Sequence, residues 1–221
     1  MDRIGDKNKL IRSLNSKLQK AINEFQKWCQ SWHLKLQPAK TELIHFSLHP
    51  NKKYKNPVQV TVGNTTIKPV TSTRYLGVLF DYKLNWKTHI QHIETKIAAR
   101  ICLLRFLNKV AINANDKIMT NIYKSLVRSV IVYGYPVLLT ASKTMWNRLQ
   151  IIQNKALRAA FGLPHYTSTE YIHRIANIPK IYDYAKTLLE RAVTTAASNN
   201  ENEYRTLLHD ILQQLPTIPN N

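Results

Sequence analysis

Basic side chains recur at helical spacing in the middle of the chain, where a row of them would bind phosphates. Lys117, Lys124 and Arg128 are spaced i, i+7 and i+11, which at about 100° per residue places them within roughly 40° of one another on a helix. Two other predicted helices carry further candidates: Lys96 and Arg100, then Arg148, Lys155 and Arg158. Such rows predict contact with a nucleic-acid backbone, and the alternative is an ordinary solvated helix face.

The distribution of charge separates these two interpretations. The chain of 221 residues has 32 Lys and Arg against 13 Asp and Glu, a net charge of +19 that attracts polyanions before any specific contact forms. Residues 83–169 contain thirteen basic residues and two acidic ones, Glu94 and Asp116, whereas residues 170–221 contain five and six. An ordinary solvated face mixes signs, so residues 83–169 are predicted to face nucleic acid. Composition alone leaves a ribosomal-type or merely basic protein open.

The carboxylates that phosphoryl transfer would need are not clustered in the sequence. A two-metal site requires several carboxylates close together, because the attacking and the leaving oxygen each need a metal ion. The aspartates stand singly, with no Asp-Asp or Asp-x-Asp: Asp2, Asp6, Asp81, Asp116, Asp183 and Asp210. Cys29 and Cys102 offer no Cys/His metal cluster and suit a reducing compartment. No metal site is therefore predicted.

The first third of the chain predicts an α+β region that would position these residues. Apolar residues recur every three or four positions from Leu10 to Trp32, which predicts a long helix that packs along one face and ends before Pro38. Strands are predicted at 42–46, 58–62, 66–67 and 74–80, with a two-residue turn at Gly63-Asn64 and a basic loop around residues 52–57. Together the strands predict a small antiparallel sheet.

The remainder predicts helices. Apolar positions from Ile90 to Leu104, a second helix over roughly 116–132 and a third that opens at Ser142 as N-cap indicate a bundle. Gly162-Leu163-Pro164 ends the third helix. The sequence after the third helix predicts two shorter helices, a linker at 198–202, a last helix around 207–215 and a frayed tail. The predicted domains are 1–82, 83–164 and 165–221. The longest uncharged stretch, residues 129–142, is too short to span a bilayer, so no membrane role is predicted.

Gly77 lies inside the predicted strand from Arg74 to Phe80. A strand glycine marks either a bulge or a place where another backbone approaches closely, and the sequence leaves both open. Arg74 is a candidate phosphate contact, with a solvated edge charge as the alternative.

The order of several short motifs resembles a known family. The motifs are Lys40-Thr41, Arg74-Tyr75-Leu76-Gly77-Val78, Asp81 to Trp86, Tyr133-Gly134-Tyr135-Pro136, Gln153-Asn154-Lys155 with Leu157-Arg158, and Ile172-His173 with Ile178-Pro179. Over roughly residues 10 to 190 this order resembles the C-terminal part of reverse transcriptases from non-LTR retrotransposons, the jockey-like group in particular. The resemblance implies the end of a palm domain followed by a thumb-like helical bundle and a helical extension.

That resemblance also implies roles for individual residues. Lys40 matches a lysine placed to protonate the departing pyrophosphate, although a surface lysine at a strand entry is the alternative. Arg74, Tyr75 and Gly77 match the strand of the primer grip, which holds the 3′ end of the growing strand. The basic helices match the thumb, which cradles the template–primer duplex.

In the family's order the catalytic aspartates would lie just before Met1. The resemblance therefore implies a fragment of an RNA-directed DNA polymerase that binds an RNA/DNA primer–template, is inactive without the missing palm and fingers, and works in the nucleus or cytoplasm. The full-length polymerase would use Mg²⁺, whereas this chain would bind no cofactor. The alternatives are a stand-alone nucleic-acid-binding module without sequence preference and a non-functional transposon remnant.

Overall fold

The computed structural model describes residues 3–47, 58–110 and 115–198 together with residues 206 and 210. Most of the predicted basic loop around 52–57, the last helix around 207–215 and the tail lie outside the described residues. The chain divides into two compact units, Met1–Leu84 and Asn85–Asn221. The fold class is α+β, as predicted: a long helix and short strands precede a set of helices.

The first unit is built on a helix and a hairpin. Helix α1 (Arg3–Ser31) packs Leu18 and Ile22 against the hairpin of β2 (Val60–Val62) and β3 (Thr65–Ile67). Val62 pairs with Thr65, so the predicted two-residue turn at Gly63-Asn64 is confirmed. Strand alternation buries Val60 and Val62 against the helix and leaves Thr61 exposed.

A glutamine side chain joins α1 to this hairpin. The amide of Gln19 donates to the carbonyl oxygen of Thr61 at 2.9 Å, and the Thr61 N–H donates back to Gln19 Oε1 at 2.8 Å. Asn15 Oδ1 accepts from the Gln59 N–H at 3.1 Å. These side chains take the place of a neighbouring strand, so part of the free edge of β2 is satisfied.

The predicted single antiparallel sheet is instead, within the described residues, three separate two-stranded pairs. Strand β1 is only Leu43–Ile44 and pairs in parallel with β4 (Pro69–Val70). Strands β5 (Ser72–Tyr75) and β6 (Val78–Asp81) pair antiparallel. The parallel pair was not predicted, because pairing direction between distant two-residue strands leaves no periodic signal.

The prediction of one continuous strand from Arg74 to Phe80 is wrong. Tyr75 pairs with Val78, and the intervening residues form a two-residue turn in which Leu76 has φ 45° and Gly77 has φ 83°. Two successive positive φ values are typical of a tight hairpin turn, and glycine tolerates them because it has no Cβ. Turn geometry therefore accounts for Gly77 without a bulge.

Helix α1 forms as predicted, but its apolar face is only partly packed. Phe25, Trp28 and Trp32 are exposed by 46%, 53% and 66%, although Cys29 between them is buried. Their rings contact each other along the helix, with centroids 5.7 Å apart for Phe25 and Trp28 and 6.3 Å apart for Trp28 and Trp32. The expectation that the whole stripe packs along one face is wrong, because the small hairpin covers only its middle.

The second unit is helical. Its helices are α2 (Lys87–Val110), α3 (Asp116–Tyr123), a π turn (Lys124–Arg128), α4 (Ser129–Ile131), α5 (Tyr135–Leu138), α6 (Lys143–Ala160), α7 (Thr169–Ala176) and α8 (Ile181–Ser198). Helices α2 and α6 pack closely on each other, and α7 and α8 pack against α6. The predicted inner faces are confirmed: Ile90, Ile93, Ile97 and Leu104 are buried on α2, and Trp146, Leu149, Ile152 and Ala156 on α6.

Trp86 anchors the start of this unit. Its ring is buried, and its Nε1–H donates to Thr140 Oγ1 at 3.1 Å, so the loop before α2 is fixed to the end of α5. Asn85 Oδ1 accepts from the Lys87 N–H at 2.9 Å and satisfies a free donor of the first helical turn. Of the helices described, none has the length and apolarity to cross a membrane.

Candidate nucleic-acid interface

The predicted lysines of the helical unit lie at its surface. Lys96 on α2, Lys117 on α3 and Lys155 on α6 are exposed, and Lys124 in the π turn is half-buried. Within the described part of the chain none of the four has an ion-pair partner. Their ammonium groups are therefore available to a ligand.

Arg148 on α6 is held by an acidic partner instead. Its Nε–H donates to Glu94 Oε1 at 3.0 Å and its Nη2–H to Glu94 Oε2 at 2.6 Å, a two-pronged contact between α6 and α2. Both side chains are about one third exposed. This geometry matches the planar guanidinium to the carboxylate, so it fixes the register of the two helices.

The other three predicted arginines also have internal contacts. Arg100 on α2 donates to the carbonyl oxygen of Leu126 in the π turn. The Arg128 guanidinium lies over the ring of Tyr184 on α8, 4.1 Å from its centroid. Arg158 donates twice to the carbonyl oxygen of Thr167, at 3.1 and 2.7 Å.

The arginines therefore connect elements of the bundle, which the sequence analysis did not foresee. Because each guanidinium has five N–H donors, an internal contact leaves others for a ligand. Phosphate contact by Arg100, Arg128, Arg148 and Arg158 stays a prediction, as it does for the lysines.

In the first unit, the predicted residues of the β5–β6 hairpin lie at its tip. Arg74 is exposed, Tyr75 is 66% exposed, and Leu76 beside Gly77 is 74% exposed. Lys40 lies apart from them in sequence, at the end of a 3-10 turn from Pro38 to Lys40, and is exposed. The Thr41 N–H donates to the Pro38 carbonyl at 3.1 Å, so the backbone around Lys40 is fixed while its side chain is free to reach outward.

The residues of the last two sequence motifs form a hydrogen-bond network inside the helical unit. Gln153 Nε2 donates to the carbonyl oxygen of Pro179 at 3.0 Å, and its side chain is fully buried. His173 Nδ1 lies 2.7 Å from the carbonyl oxygen of Ile178, which makes it the protonated nitrogen. Gln150 Oε1 accepts from the Ile181 N–H at 3.0 Å. Side chains of α6 thus bind the backbone of the α7–α8 connection.

His173 Nε2 completes the network. It lies 3.0 Å from both Gln150 Nε2 and Asn154 Oδ1, and Gln150 Nε2 is itself 2.8 Å from Asn154 Oδ1. With Nδ1 as the donor to Ile178, Nε2 accepts from the Gln150 amide, and Asn154 Oδ1 accepts from that same amide. The contact between Nε2 and Asn154 Oδ1 then joins two acceptors and is not a hydrogen bond. These motif residues hold the fold together and do not point to a ligand.

The aromatic side chains of the helical unit include buried and exposed ones. Trp86 and Tyr123 are buried, and burial raises the pKa of the Tyr123 hydroxyl well above its ordinary value, so it stays protonated. Tyr133 is 55% exposed, and the Tyr135 hydroxyl lies 3.5 Å from the Leu188 carbonyl oxygen. Trp86 and Tyr123 are therefore core residues and are not available to stack on a base.

The sequence analysis missed a groove between the C-terminal ends of α2 and α6. Its lining includes Arg105, Phe106 and Lys109 on α2 and Lys155 on α6. The sequence signal that could have indicated this groove is Phe106. It lies about 180° around α2 from Ile97 and is therefore outside the apolar face of that helix.

The described residues contain no carboxylate cluster that could hold a divalent metal ion. No group of three or more His, Cys, Asp or Glu side chains lies close enough together to hold one. Asp81, which the motif order singles out, uses its Oδ1 to accept the Lys83 N–H at 3.0 Å. The described residues therefore do not fit the two Mg²⁺ ions of a polymerase.

Sequence comparison identifies relatives of the chain. It is 30% identical over 189 residues to the RNA-directed DNA polymerase from mobile element jockey of Drosophila melanogaster, a match that covers 84% of this chain and 20% of that protein. The chain is homologous to a segment of jockey-like non-LTR retrotransposon polymerases. The probable RNA-directed DNA polymerase from transposon BS of the same species is 26% identical over 161 residues, and the jockey polymerase of Drosophila funebris 26% over 181.

The predicted resemblance to jockey-like polymerases is therefore confirmed. The chain spans about one fifth of the length of these curated relatives. No protein-family model matches it, and no solved structure does.

The network on α6 predicts a structural role for Gln153. Replacing Gln153 by Ala should lower the free energy of unfolding of the helical unit by about 1–3 kcal/mol, because a fully buried side chain and its hydrogen bond to the Pro179 carbonyl oxygen are lost. Urea denaturation followed by circular dichroism measures this change. Gln91→Ala, at an exposed position of α2, should change stability by less than about 0.5 kcal/mol. Equal losses from the two variants would contradict the assigned role.

Proposed function

We propose that this chain is part of an RNA-directed DNA polymerase and grips the primer–template through its sugar-phosphate backbone, without sequence preference. The supporting observation is the uncompensated positive charge of residues 83–169. Residues 83–169 contain two acidic side chains. Glu94 is bound to Arg148, and Asp116 lies in the first turn of α3, where its negative charge interacts favourably with the positive end of the helix dipole. Within residues 83–169 the basic residues therefore far outnumber the acidic ones that could compete with a phosphate.

In this proposal arginines and lysines have different tasks. The arginines tie α2, α6 and the π turn together, and the lysines present charge on the resulting surface. Lys96, Lys117 and Lys155 contact phosphates, which carry no base identity, and this explains why the grip would tolerate any sequence. Lys124 and the remaining donors of the arginines add to the same field.

The β5–β6 hairpin is the second proposed contact. Its tip places Arg74 and Tyr75 in solvent, next to a turn whose tight geometry keeps the backbone narrow. A cation and an exposed ring at a narrow tip suit the end of a nucleic-acid strand, with Arg74 on a phosphate and Tyr75 against the sugar or base.

The chain is proposed to need the rest of a polymerase for catalysis. The exposed aromatic stripe of α1, formed by Phe25, Trp28 and Trp32, supports a protein partner, because exposed apolar patches of this kind mark interaction sites. We assign that partner to the palm and fingers of the polymerase. This stripe also weighs against the alternative of a stand-alone binding module.

The backbone grip predicts a specific salt dependence. Lys96→Gln and Lys117→Gln should each weaken binding to RNA–DNA hybrid, DNA duplex and structured RNA alike. Each should also flatten the plot of log affinity against log salt concentration by roughly one unit, because one fewer counterion is released. Fluorescence anisotropy at four or more salt concentrations measures both effects.

The matched controls are Lys186→Gln and Arg191→Gln, at exposed positions of α8. They remove the same charge from a segment that has no net positive charge, so they should leave the salt slope nearly unchanged. If all four variants flatten the slope equally, the attraction is diffuse and the assigned surface is wrong.

A second prediction concerns polymerase activity. The purified chain should not extend a primer with Mg²⁺ or Mn²⁺, because its sequence has no clustered aspartates to hold two metal ions. A primer-extension assay tests this, with protein repurified through a denatured state as a control for contaminating polymerase. Robust extension that survives repurification would overturn the proposal.

The third prediction tests Lys40 in a full-length polymerase that contains this segment. If its ammonium protonates the departing pyrophosphate, Lys40→Ala should slow single-turnover nucleotide incorporation by roughly 10²- to 10⁴-fold. The affinity for primer–template should change little. Lys35→Ala, at another exposed lysine before the 3-10 turn, is the control. A loss of affinity as large as the loss of rate would make Lys40 a phosphate contact.

A further inference from the structure

The groove between the C-terminal ends of α2 and α6 has a shape suited to a ligand. Its volume is about 660 Å³, within the range of roughly 300–1,000 Å³ typical of small-molecule sites. Phe106, Ala159 and Leu163 contribute apolar surface to it, and the Phe106 ring is 59% exposed. The exposed part of this ring can contact a ligand that enters the groove.

The walls of the groove are held in place by hydrogen bonds. Asn108 Nδ2 donates to the carbonyl oxygen of Ala160 at 2.8 Å, which ties the end of α2 to the end of α6. Gly162 has φ +64°, and a Cβ at this position would lie only 2.5 Å from Asn108 Oδ1. Glycine thus permits the close approach that joins the two helix ends, and the groove is largely formed before any ligand arrives.

The charges of the groove indicate the class of ligand. Arg105, Lys109 and Lys155 are exposed cations in its lining, and none of the described residues that line it is acidic. Arg158 also lines the groove, but its guanidinium is bound to the Thr167 carbonyl oxygen. Three available cations around an exposed ring complement a ligand that has both an anionic and a flat apolar part.

We propose that this groove holds one unpaired nucleotide of a single-stranded nucleic acid, with its base against the Phe106 ring and its phosphates on Arg105, Lys109 and Lys155. The proposal rests on the proposed backbone grip and adds to it a contact with a base. A base stacked on an aromatic side chain contributes binding without sequence preference, because every base has a flat π face. A paired base cannot turn toward Phe106, so the groove distinguishes single strands from duplex.

The test measures binding of three oligonucleotides of equal length by fluorescence anisotropy: a single strand, the same strand in a full duplex, and an abasic strand with the same phosphates. Phe106→Ala should weaken binding of the single strand roughly 5- to 100-fold. It should leave the affinity for duplex and for the abasic strand unchanged, as well as the salt slope for all three.

Two variants separate stacking from a change in the fold. Phe106→Leu keeps an apolar side chain but removes the ring, so it should weaken single-strand binding nearly as much as Phe106→Ala. Ile118→Ala removes a similarly exposed apolar side chain from α3, outside the groove, and should have no effect. Urea denaturation of each variant checks that the helical unit keeps its stability.

The outcomes distinguish this proposal from the backbone grip. If Phe106→Ala changes no affinity while duplex binding remains salt-dependent, the groove holds no base and the grip stands. Equal losses on base-containing and abasic strands would also overturn the stacking contact. If a glutamate-rich peptide competes for the groove in a Phe106-dependent way and single strands do not, the ligand is an acidic protein segment. Absence of any salt-dependent nucleic-acid binding would overturn both proposals.

Discussion

The helical unit depends on hydrogen bonds that amide side chains of α6 make inside the protein. One side of this helix is apolar and packs against α2. Gln150 and Gln153 lie on the same helix and bind backbone groups or the imidazole of the α7–α8 segment. Loss of the Gln150 contact would leave the N–H of the buried Ile181 without its partner, which costs more than an average hydrogen bond contributes. The position of α7 and α8 therefore depends on a few amide side chains, and apolar packing alone would not specify it.

Arginines near the surface of the helical unit also position its elements through hydrogen bonds. A guanidinium presents a rigid set of donors, so it can bind a carboxylate or a carbonyl oxygen in a fixed direction, as Arg148 and Arg158 do. A lysine has a compact charge on a flexible stem and fixes geometry less well. This difference is consistent with the four arginines of the predicted stripes having internal partners, whereas Lys96, Lys117 and Lys155 remain exposed to solvent. A count of basic residues in the sequence therefore overstates the number of cations that are wholly free for phosphate.

The sequence predicted those features that depend on near neighbours along the chain. Periodicity located α1, α2 and α6, and the Gly63-Asn64 turn located the first hairpin, because these signals lie within a few residues of each other. The second hairpin was missed since Leu76-Gly77 lacks the Asn-Gly or Asp-Gly pattern of such turns and stands in an apolar run. Contacts such as Arg148 with Glu94 or Gln153 with Pro179 join residues 26 to 54 positions apart. Spacing along one helix holds no information about them, so they appeared only in the folded chain.

On helix α1 the apolar stripe of the sequence is longer than the part of the helix that is buried. The periodicity runs from Leu10 to Trp32, but the hairpin that covers it provides three short buried side chains, Val60, Val62 and Ile67. This surface is too small for a helix of 29 residues, whose length is about 44 Å at 1.5 Å per residue. Leaving Trp28 and Trp32 in water forgoes the stabilisation that burial of such large rings would give. The apolar periodicity of α1 therefore extends past the surface that its own hairpin buries.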